Sequence, residues 1–150
     1  LGDETKYVLP RSKVGLNPFD MSFSGLKTAA LNLIHKADQT REKLDIQSLC
    51  AAFSAAVSDT LMSRTILALE ATGYQNLAVA GGVAANSRIR SDIHKIARER
   101  SVNVYLPPLS LCGDNAAMIG AQAYYEFIDG TSADMSLNAY ATKSFFGECI

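Results

Sequence analysis

Apolar residues recur at helical spacing through the middle of the chain. Residues 38–72 contain no Gly or Pro, and their apolar positions repeat every three or four residues: Ile46, Leu49, Cys50, Phe53, Val57 and Leu61. This spacing predicts a long helix that ends at Gly73, because glycine commonly follows the last turn of a helix. Small residues on the flank of this helix predict close packing of another element there: Ala51, Ala52, Ala55 and Ala56.

The pattern changes after Gly73. The uncharged apolar run 77–80 stops at Gly81-Gly82, which is typical of a strand buried on both faces, with bounds of 76–80. The next stretch predicts a helix to about Arg100, with one apolar face: Ile89, Ile93 and Ile96. A second strand is predicted at 102–106, and a right-handed crossover would place it parallel to the first.

Gly81 and Gly82 are the first candidates for chemistry. Tandem glycines at the carboxyl end of a parallel strand let the main chain approach a ligand closely, and they leave free N–H groups at the start of the next helix. This arrangement suits a nucleotide. A tight strand-to-helix turn with no ligand remains an open alternative, because short glycine motifs often match by chance.

Asp114 is the second candidate, just before a helix predicted to run to about Asp129 and to stop at Gly130. A carboxylate there either caps the helix or binds a divalent or ferrous metal at the end of the sheet. Small residues at helical spacing predict a flat face that packs closely on a neighbour: Ala116, Gly120 and Ala123.

The amino-terminal quarter of the chain is less informative. A short strand is predicted at 7–9, and a helix through Ala37 is predicted with Ser24 as its N-cap. Lys27, in the first turn of that helix, and Asp59, on the long helix, are both interpreted as solvent-facing residues. A possible apolar anchor, Phe145-Phe146, lies in the polar tail.

Composition fits a single globular domain of 150 residues that is 48% hydrophobic. A formal net charge of −1 gives no electrostatic argument for nucleic acid or membrane. Basic residues on 87–100 are interrupted by Asp92 and Glu99, which favours a mixed solvated face over an RNA-binding stripe. Three unpatterned cysteines favour a reducing compartment, and no apolar run reaches the roughly 20 residues of a membrane span. We therefore expect a cytoplasmic protein without a membrane segment, and Leu1 as first residue suggests part of a longer polypeptide.

Three motifs in order resemble the tRNA N6-adenosine threonylcarbamoyltransferase family, once called O-sialoglycoprotein endopeptidases. They are Phe23-Ser24-Gly25-Leu26-Lys27-Thr28, Gly81-Gly82-Val83-Ala84-Ala85-Asn86 and Gly113-Asp114-Asn115-Ala116-Ala117-Met118-Ile119. The resemblance covers nearly the whole chain but only the carboxyl-terminal half of a family member. It implies the α/β fold of the actin, sugar-kinase and heat-shock ATPase superfamily, with residues 1–150 forming much of a ribonuclease-H-like lobe and its helical elaboration. The amino-terminal lobe would be absent from this chain.

The resemblance also implies site residues. Asn86, with Gly81 and Gly82, would bind the nucleotide part of threonylcarbamoyl-adenylate. Asp114 would bind a metal, usually iron with zinc possible, that also takes two histidines from the missing half. His35 and His94 lack ligand spacing and are interpreted as helix-surface residues. Gly113 stands where family members commonly have threonine, so a role that needs a hydroxyl is in doubt there.

The activity implied is transfer of a threonylcarbamoyl group to N6 of an adenosine near the tRNA anticodon, with the metal polarising the carbonyl. Implied partners are tRNA and the paralogous and ATPase subunits of a modification complex. Two alternatives stay open: a non-catalytic module that binds a nucleotide or a partner, and a metalloprotease. The protease is disfavoured because the chain has no His-Glu-x-x-His pattern.

Overall fold

The computed structural model describes residues 2–12 and 17–139 of the chain. Internal contacts divide it into two units, Leu1–Gly113 and Asp114–Ile150, where a single unit was expected. The predicted anchor Phe145-Phe146 lies outside the described residues.

Helices and a small parallel sheet make up the first unit, which is mixed α/β. Its helices are α1 (Ser24–Thr40), α2 (Ile46–Thr72) and α3 (Ser87–Arg100), and its strands are β1 (Asn76–Ala78) and β2 (Asn103–Tyr105). Two short 3-10 turns, Gly82–Ala85 and Leu109–Leu111, each follow a strand. The five-residue link 41–45 between α1 and α2 was not predicted, since the predicted helix began at residue 38.

The break between α1 and α2 has a local cause. Arg41 takes a left-handed conformation (φ 54°) and its N–H donates to Ala37 O, which ends α1. Asp45 then caps α2, since its side chain accepts from Ser48 N at 3.1 Å. Ser24 was wrongly predicted as a cap, because it lies inside α1 and Phe23 precedes it without a side-chain cap.

Two apolar clusters lie along α2. In the first, α1 packs against α2 around a buried set of Leu9, Leu26, Leu49, Ala52 and Ala56. The alanine flank therefore does accept a neighbouring helix, as predicted. Residues 7–9 do not form the predicted strand, yet Leu9 is only 2% exposed, so this segment contributes to the core as irregular chain.

The second cluster confirms the apolar face of α3. Ile89, Ile93 and Ile96 are 3–6% exposed and pack with Met62 of α2. Both strands add half-buried residues to it, Leu77 from β1 and Val104 from β2. Each Å² of apolar surface removed from water stabilises the fold by about 25 cal/mol. Burial in this cluster is therefore the main force that holds α3 over the sheet.

The two strands are parallel, as predicted, with Leu77 paired to Val104 and Ala78 paired to Tyr105. The prediction that the first strand is buried on both faces is wrong. Asn76 and Ala78 are exposed and Leu77 is half-buried. A sheet of two three-residue strands cannot cover both of its faces.

Among its described residues, 114–139, the second unit contains one helix, α4 (Ala116–Ile128), followed by Gly130 with φ 77°, which confirms the predicted stop. No residue of α4 is buried among the described residues, and the close packing of its small-residue face stays a prediction. Large apolar residues of this helix are exposed: Met118, Ile119, Tyr124, Tyr125, Phe127 and Ile128. Within residues 2–12 and 17–139, no helix is long and apolar enough to cross a membrane.

Candidate functional site

The predicted nucleotide turn follows β1 after two residues, Val79 and Ala80. Gly81 has φ 90° and ψ 172°, a backbone region that only glycine adopts readily. The chain then makes a 3-10 turn closed by two hydrogen bonds of 3.0 Å, from Ala84 N to Gly81 O and from Asn86 N to Val83 O. Because the first N–H groups of a helical turn have no acceptor within it, this turn presents backbone donors.

Gly82 differs from Gly81 in what it requires. Its φ is not positive, and a Cβ built on it would meet no heavy atom within 4 Å among the described residues. Both glycines are exposed. The backbone conformation therefore requires glycine at position 81 and not at position 82. A requirement for glycine at position 82 would come from a molecule or chain segment that approaches the turn.

Asn86, the predicted nucleotide residue, is the N-cap of α3. Its side-chain oxygen accepts from Arg88 N at 3.0 Å and from Ile89 N at 3.1 Å. The residue is exposed, and its side-chain amide nitrogen has no hydrogen-bond partner among the described residues. Capping thus uses the oxygen of Asn86 and does not engage its NH₂ group, which can donate two hydrogen bonds.

The glycine turn and the segment after β2 start from one edge of the sheet. The pairing of Ala78 with Tyr105 is followed by a hydrogen bond from Val79 N to Tyr105 O at 3.0 Å. In open parallel sheets, ligands bind beyond the carboxyl ends of the strands. The turn therefore lies where such sheets place their binding sites.

Arg90 of α3 reaches both segments. Its guanidinium donates to Ala84 O in the turn at 2.7 Å and to Pro107 O after β2 at 2.9 Å. This role of Arg90 was not predicted from the sequence, where the residue belongs to the basic face of α3. Its position four residues after the cap Asn86 was the available signal, because side chains of a helix lean toward its N-terminus.

Two residues of the basic face of α3, Arg88 and Arg100, form ion pairs within the described residues. Arg88 binds Glu4 at 2.6 Å and Asp92 at 2.7 Å, and Arg100 binds Glu70 at 3.0 Å. These ion pairs fit the interpretation of a mixed face, which stays a prediction. Lys27 is exposed on α1, and exposed Asp59 pairs with Arg11 at 2.7 Å, so both are surface residues as predicted.

Asp114 is exposed and is not the cap of α4. That cap is Asn115, whose side-chain oxygen accepts from Met118 N at 2.9 Å. Across the part of the chain that the structure describes, Asp114 makes no hydrogen bond or ion pair. The capping alternative for Asp114 is therefore wrong, and metal binding stays a prediction.

The donor chemistry at Asp114 fits one ligand of a metal site. A carboxylate oxygen is a suitable donor for iron or zinc. The described residues contain no group of three His, Cys, Asp or Glu that could hold a metal ion by themselves. His35 and His94 are exposed on α1 and α3, as predicted, so further ligands would have to come from elsewhere.

Sequence comparison identifies the family. A sequence model of the tRNA N6-adenosine threonylcarbamoyltransferases matches residues 1–121. The chain belongs to this family. The match includes all three motifs, from Phe23-Ser24-Gly25 through Gly113-Asp114-Asn115.

Named members of the family are similar over most of this chain. The tRNA N6-adenosine threonylcarbamoyltransferase of Lactobacillus delbrueckii subsp. bulgaricus is 47% identical over 132 residues, 87% of this chain and 38% of the relative. Those of Streptococcus mutans (44% over 141 residues) and Clostridioides difficile (39% over 138 residues) cover 94% and 92% of this chain, and 41% of each relative. The chain thus spans about two fifths of the length of these relatives.

Proposed function

We propose that this chain is the carboxyl-terminal part of an enzyme that transfers a threonylcarbamoyl group from threonylcarbamoyl-adenylate to N6 of an adenosine near the tRNA anticodon. The observation that carries this proposal is the family match over residues 1–121, which includes both candidate motifs. The relatives are named for this activity on tRNA. Neither the protease nor the non-catalytic module is favoured by those names.

The glycine turn would bind the adenylate. The exposed turn offers backbone N–H donors beside Gly82, where open space lets a ligand approach the main chain. The free NH₂ group of Asn86 would donate a further hydrogen bond. Holding the nucleotide in one place fixes the mixed anhydride and its leaving group, which lowers the entropic part of the barrier.

Asp114 would act as a metal ligand. Its exposed carboxylate is unengaged among the described residues, and it would share the metal, iron or zinc, with two histidines of the part that this chain does not span. When bound, the metal supplies Lewis-acid polarisation of the carbonyl under attack. This chain would supply the negative charge that holds the cation.

The remaining parts of the proposal follow from the family. The mixed α/β unit would be one ribonuclease-H-like lobe of an actin-like ATPase fold, and the other lobe would complete the cleft. Residues 1–150 alone would then transfer nothing. The intact protein would work in the cytoplasm with tRNA and with paralogous and ATPase partner subunits.

The test is an assay of the intact polypeptide with its partner subunits. We expect purified enzyme, threonylcarbamoyl-adenylate and unmodified tRNA to yield threonylcarbamoyladenosine, detected by mass spectrometry of digested nucleosides. A tRNA with guanosine at the target adenosine is the matched control and should stay unmodified. Nucleotide binding without transfer would support the non-catalytic module, and cleavage of a glycoprotein would support the protease. Either result in place of transfer would overturn the proposal. Transfer by residues 1–150 alone would overturn its two-lobe part.

A further inference from the structure

Arg90 joins three separate points of the chain through one side chain. From α3, its Nη1 donates to Ala84 O at 2.7 Å and to Cys112 Sγ at 3.7 Å, and its Nη2 donates to Pro107 O at 2.9 Å. Ala84 lies in the glycine turn, whereas Pro107 and Cys112 flank the 3-10 turn that follows β2. A planar guanidinium can satisfy several acceptors in a fixed geometry, which an ammonium cannot.

The charge of Arg90 is used differently from that of its neighbours on α3. Arg88 and Arg100 both form ion pairs with carboxylates. Arg90 forms none within residues 2–12 and 17–139, and its partners are two backbone carbonyls and a thiol. Hydrogen bonds to a charged donor are roughly twice as strong as neutral ones, so these contacts hold the two carbonyls firmly.

Both ends of this link are well anchored. Ala84 is 1% exposed and Cys112 is 4% exposed, and the Cys112 thiol also donates to Pro108 O at 3.5 Å. The bond from Val79 N to Tyr105 O is the last backbone hydrogen bond between the two segments among the described residues. Beyond that point, the Arg90 side chain connects the glycine turn to the segment after β2.

We propose that Arg90 is a positioning residue for the adenosine nucleotide. By holding the Ala84 carbonyl against the segment 107–112, it keeps the turn in one conformation, so the N–H groups at its start keep one direction. The inference rests on the proposed nucleotide role of the turn. Arg90 itself would not touch the nucleotide, since its contacts are to the inner side of the turn, at buried Ala84.

The test uses the intact polypeptide with Arg90→Gln, Arg90→Lys and the matched control Arg100→Gln, which removes a charge from the same helix away from the turn. We would measure the affinity for adenosine 5′-monophosphate by calorimetry. Steady-state assays would give kcat and separate KM values for threonylcarbamoyl-adenylate and tRNA, and thermal melting would report folding.

Arg90→Gln should raise the Kd for adenosine monophosphate and the KM for threonylcarbamoyl-adenylate about tenfold or more, the equivalent of one lost hydrogen bond to a charged group. The KM for tRNA should stay within about twofold of wild type, a change too small to represent a lost contact. Arg90→Lys should give an intermediate increase, because an ammonium can keep one carbonyl contact but not all three. Arg100→Gln should leave both nucleotide parameters unchanged.

A purely structural role would give a different pattern. It would lower the melting temperature and the fraction of active enzyme, so apparent kcat would fall while Kd and KM stayed at wild-type values. That result would overturn the inference. If Arg90→Gln does not fold, Arg90→Lys decides, and a wild-type Kd for adenosine monophosphate in that variant would also overturn it. Wild-type enzyme that modifies tRNA without binding adenosine monophosphate would refute the nucleotide role of the turn, and Arg90's role with it. Wild-type enzyme that does neither would refute the proposed function itself.

Discussion

The side-chain oxygen of Asn115 accepts a hydrogen bond from the backbone N–H of Met118 at 2.9 Å, and this single contact caps α4. Asp114, one residue earlier, is therefore not needed to satisfy the helix start. Its exposed carboxylate has no hydrogen bond or ion pair in the part of the chain that the structure describes. Asn115 thus has the structural role of cap, and Asp114 is left for the proposed metal role, which makes the two residues a matched pair for mutation.

Asp114→Asn in the intact polypeptide should abolish most metal binding without unfolding the protein. The substitution keeps the size of the side chain but removes a negative charge that faces the cation. Metal content per protein can be measured by elemental analysis, alongside melting temperature of the metal-free protein. Asn115→Ala is the control, which should lose about 1 kcal/mol of helix stability and retain its metal. Full metal occupancy in Asp114→Asn would rule out the ligand role.

Gly81→Ala and Gly82→Ala should affect different properties, the first stability and the second nucleotide affinity. Gly81→Ala places a side chain at φ 90° and ψ 172°, which costs of order 1–3 kcal/mol and should lower the unfolding free energy. Gly82→Ala meets open space, so stability should stay near wild type while affinity for adenosine monophosphate falls. Denaturant unfolding and calorimetric titration would measure the two effects. Unchanged nucleotide affinity in Gly82→Ala would show that nothing approaches the turn at that position.

Asn86→Asp should separate capping from nucleotide binding. Asp and Asn are equally good N-caps, so the bonds to Arg88 N and Ile89 N should survive with little change in stability. The substitution replaces an NH₂ donor with an anionic oxygen, so it should weaken adenosine monophosphate binding about tenfold, the equivalent of one hydrogen bond. Asn86→Ala is the comparison, since it should lose both stability and binding. If Asn86→Asp binds the nucleotide normally, Asn86 is only a cap.

Regular apolar spacing predicted the strongest elements of the fold. The face of Ile89, Ile93 and Ile96 predicted both the existence of α3 and its buried side, because periodic burial is a local signal. The parallel pairing of β1 and β2 also followed from a general rule on crossovers. The two candidate motifs could also be placed from local signals, because glycine and capping residues mark the ends of strands and the starts of helices.

Of the features that the sequence did not predict, the break before α2 has a local cause, whereas the burial of Leu9 and the contacts of Arg90 depend on residues farther along the chain. The break before α2 requires Asp45 to cap, although the residues around it are compatible with a continuous helix. Leu9 is a core residue in irregular chain, so it has no periodic neighbours that predict its burial. Arg90 binds carbonyls of Ala84 and Pro107, and a sequence pattern does not report which backbone groups a long side chain reaches.

A buried hydroxyl also links α2 to α3. Ser58 is fully buried and its Oγ donates to Asp92 Oδ2 at 2.6 Å, while Arg88 Nε donates to the same oxygen at 2.7 Å. Burial alone raises the pKa of Asp92, but the hydrogen bonds from Ser58 and Arg88 outweigh it, so the pKa is lowered overall. The charged form of Asp92 is therefore favoured by folding.

Asp92→Asn should destabilise the protein at pH 7 by about 1–2 kcal/mol, as expected for weakened hydrogen bonds to a charged group. Because the folded pKa of Asp92 is below its unfolded value, its contribution is fully present above about pH 5. It is lost as pH falls through the unfolded value near 3.8 and then the lower folded value. The difference in melting temperature between wild type and Asp92→Asn should therefore shrink between pH 5 and pH 3.

Asp59→Asn, at the exposed pair with Arg11, is the control and should change stability by less than about 0.5 kcal/mol at pH 7. If the difference in melting temperature between wild type and Asp92→Asn stays constant down to pH 3, the charge of Asp92 does not stabilise the contact between α2 and α3.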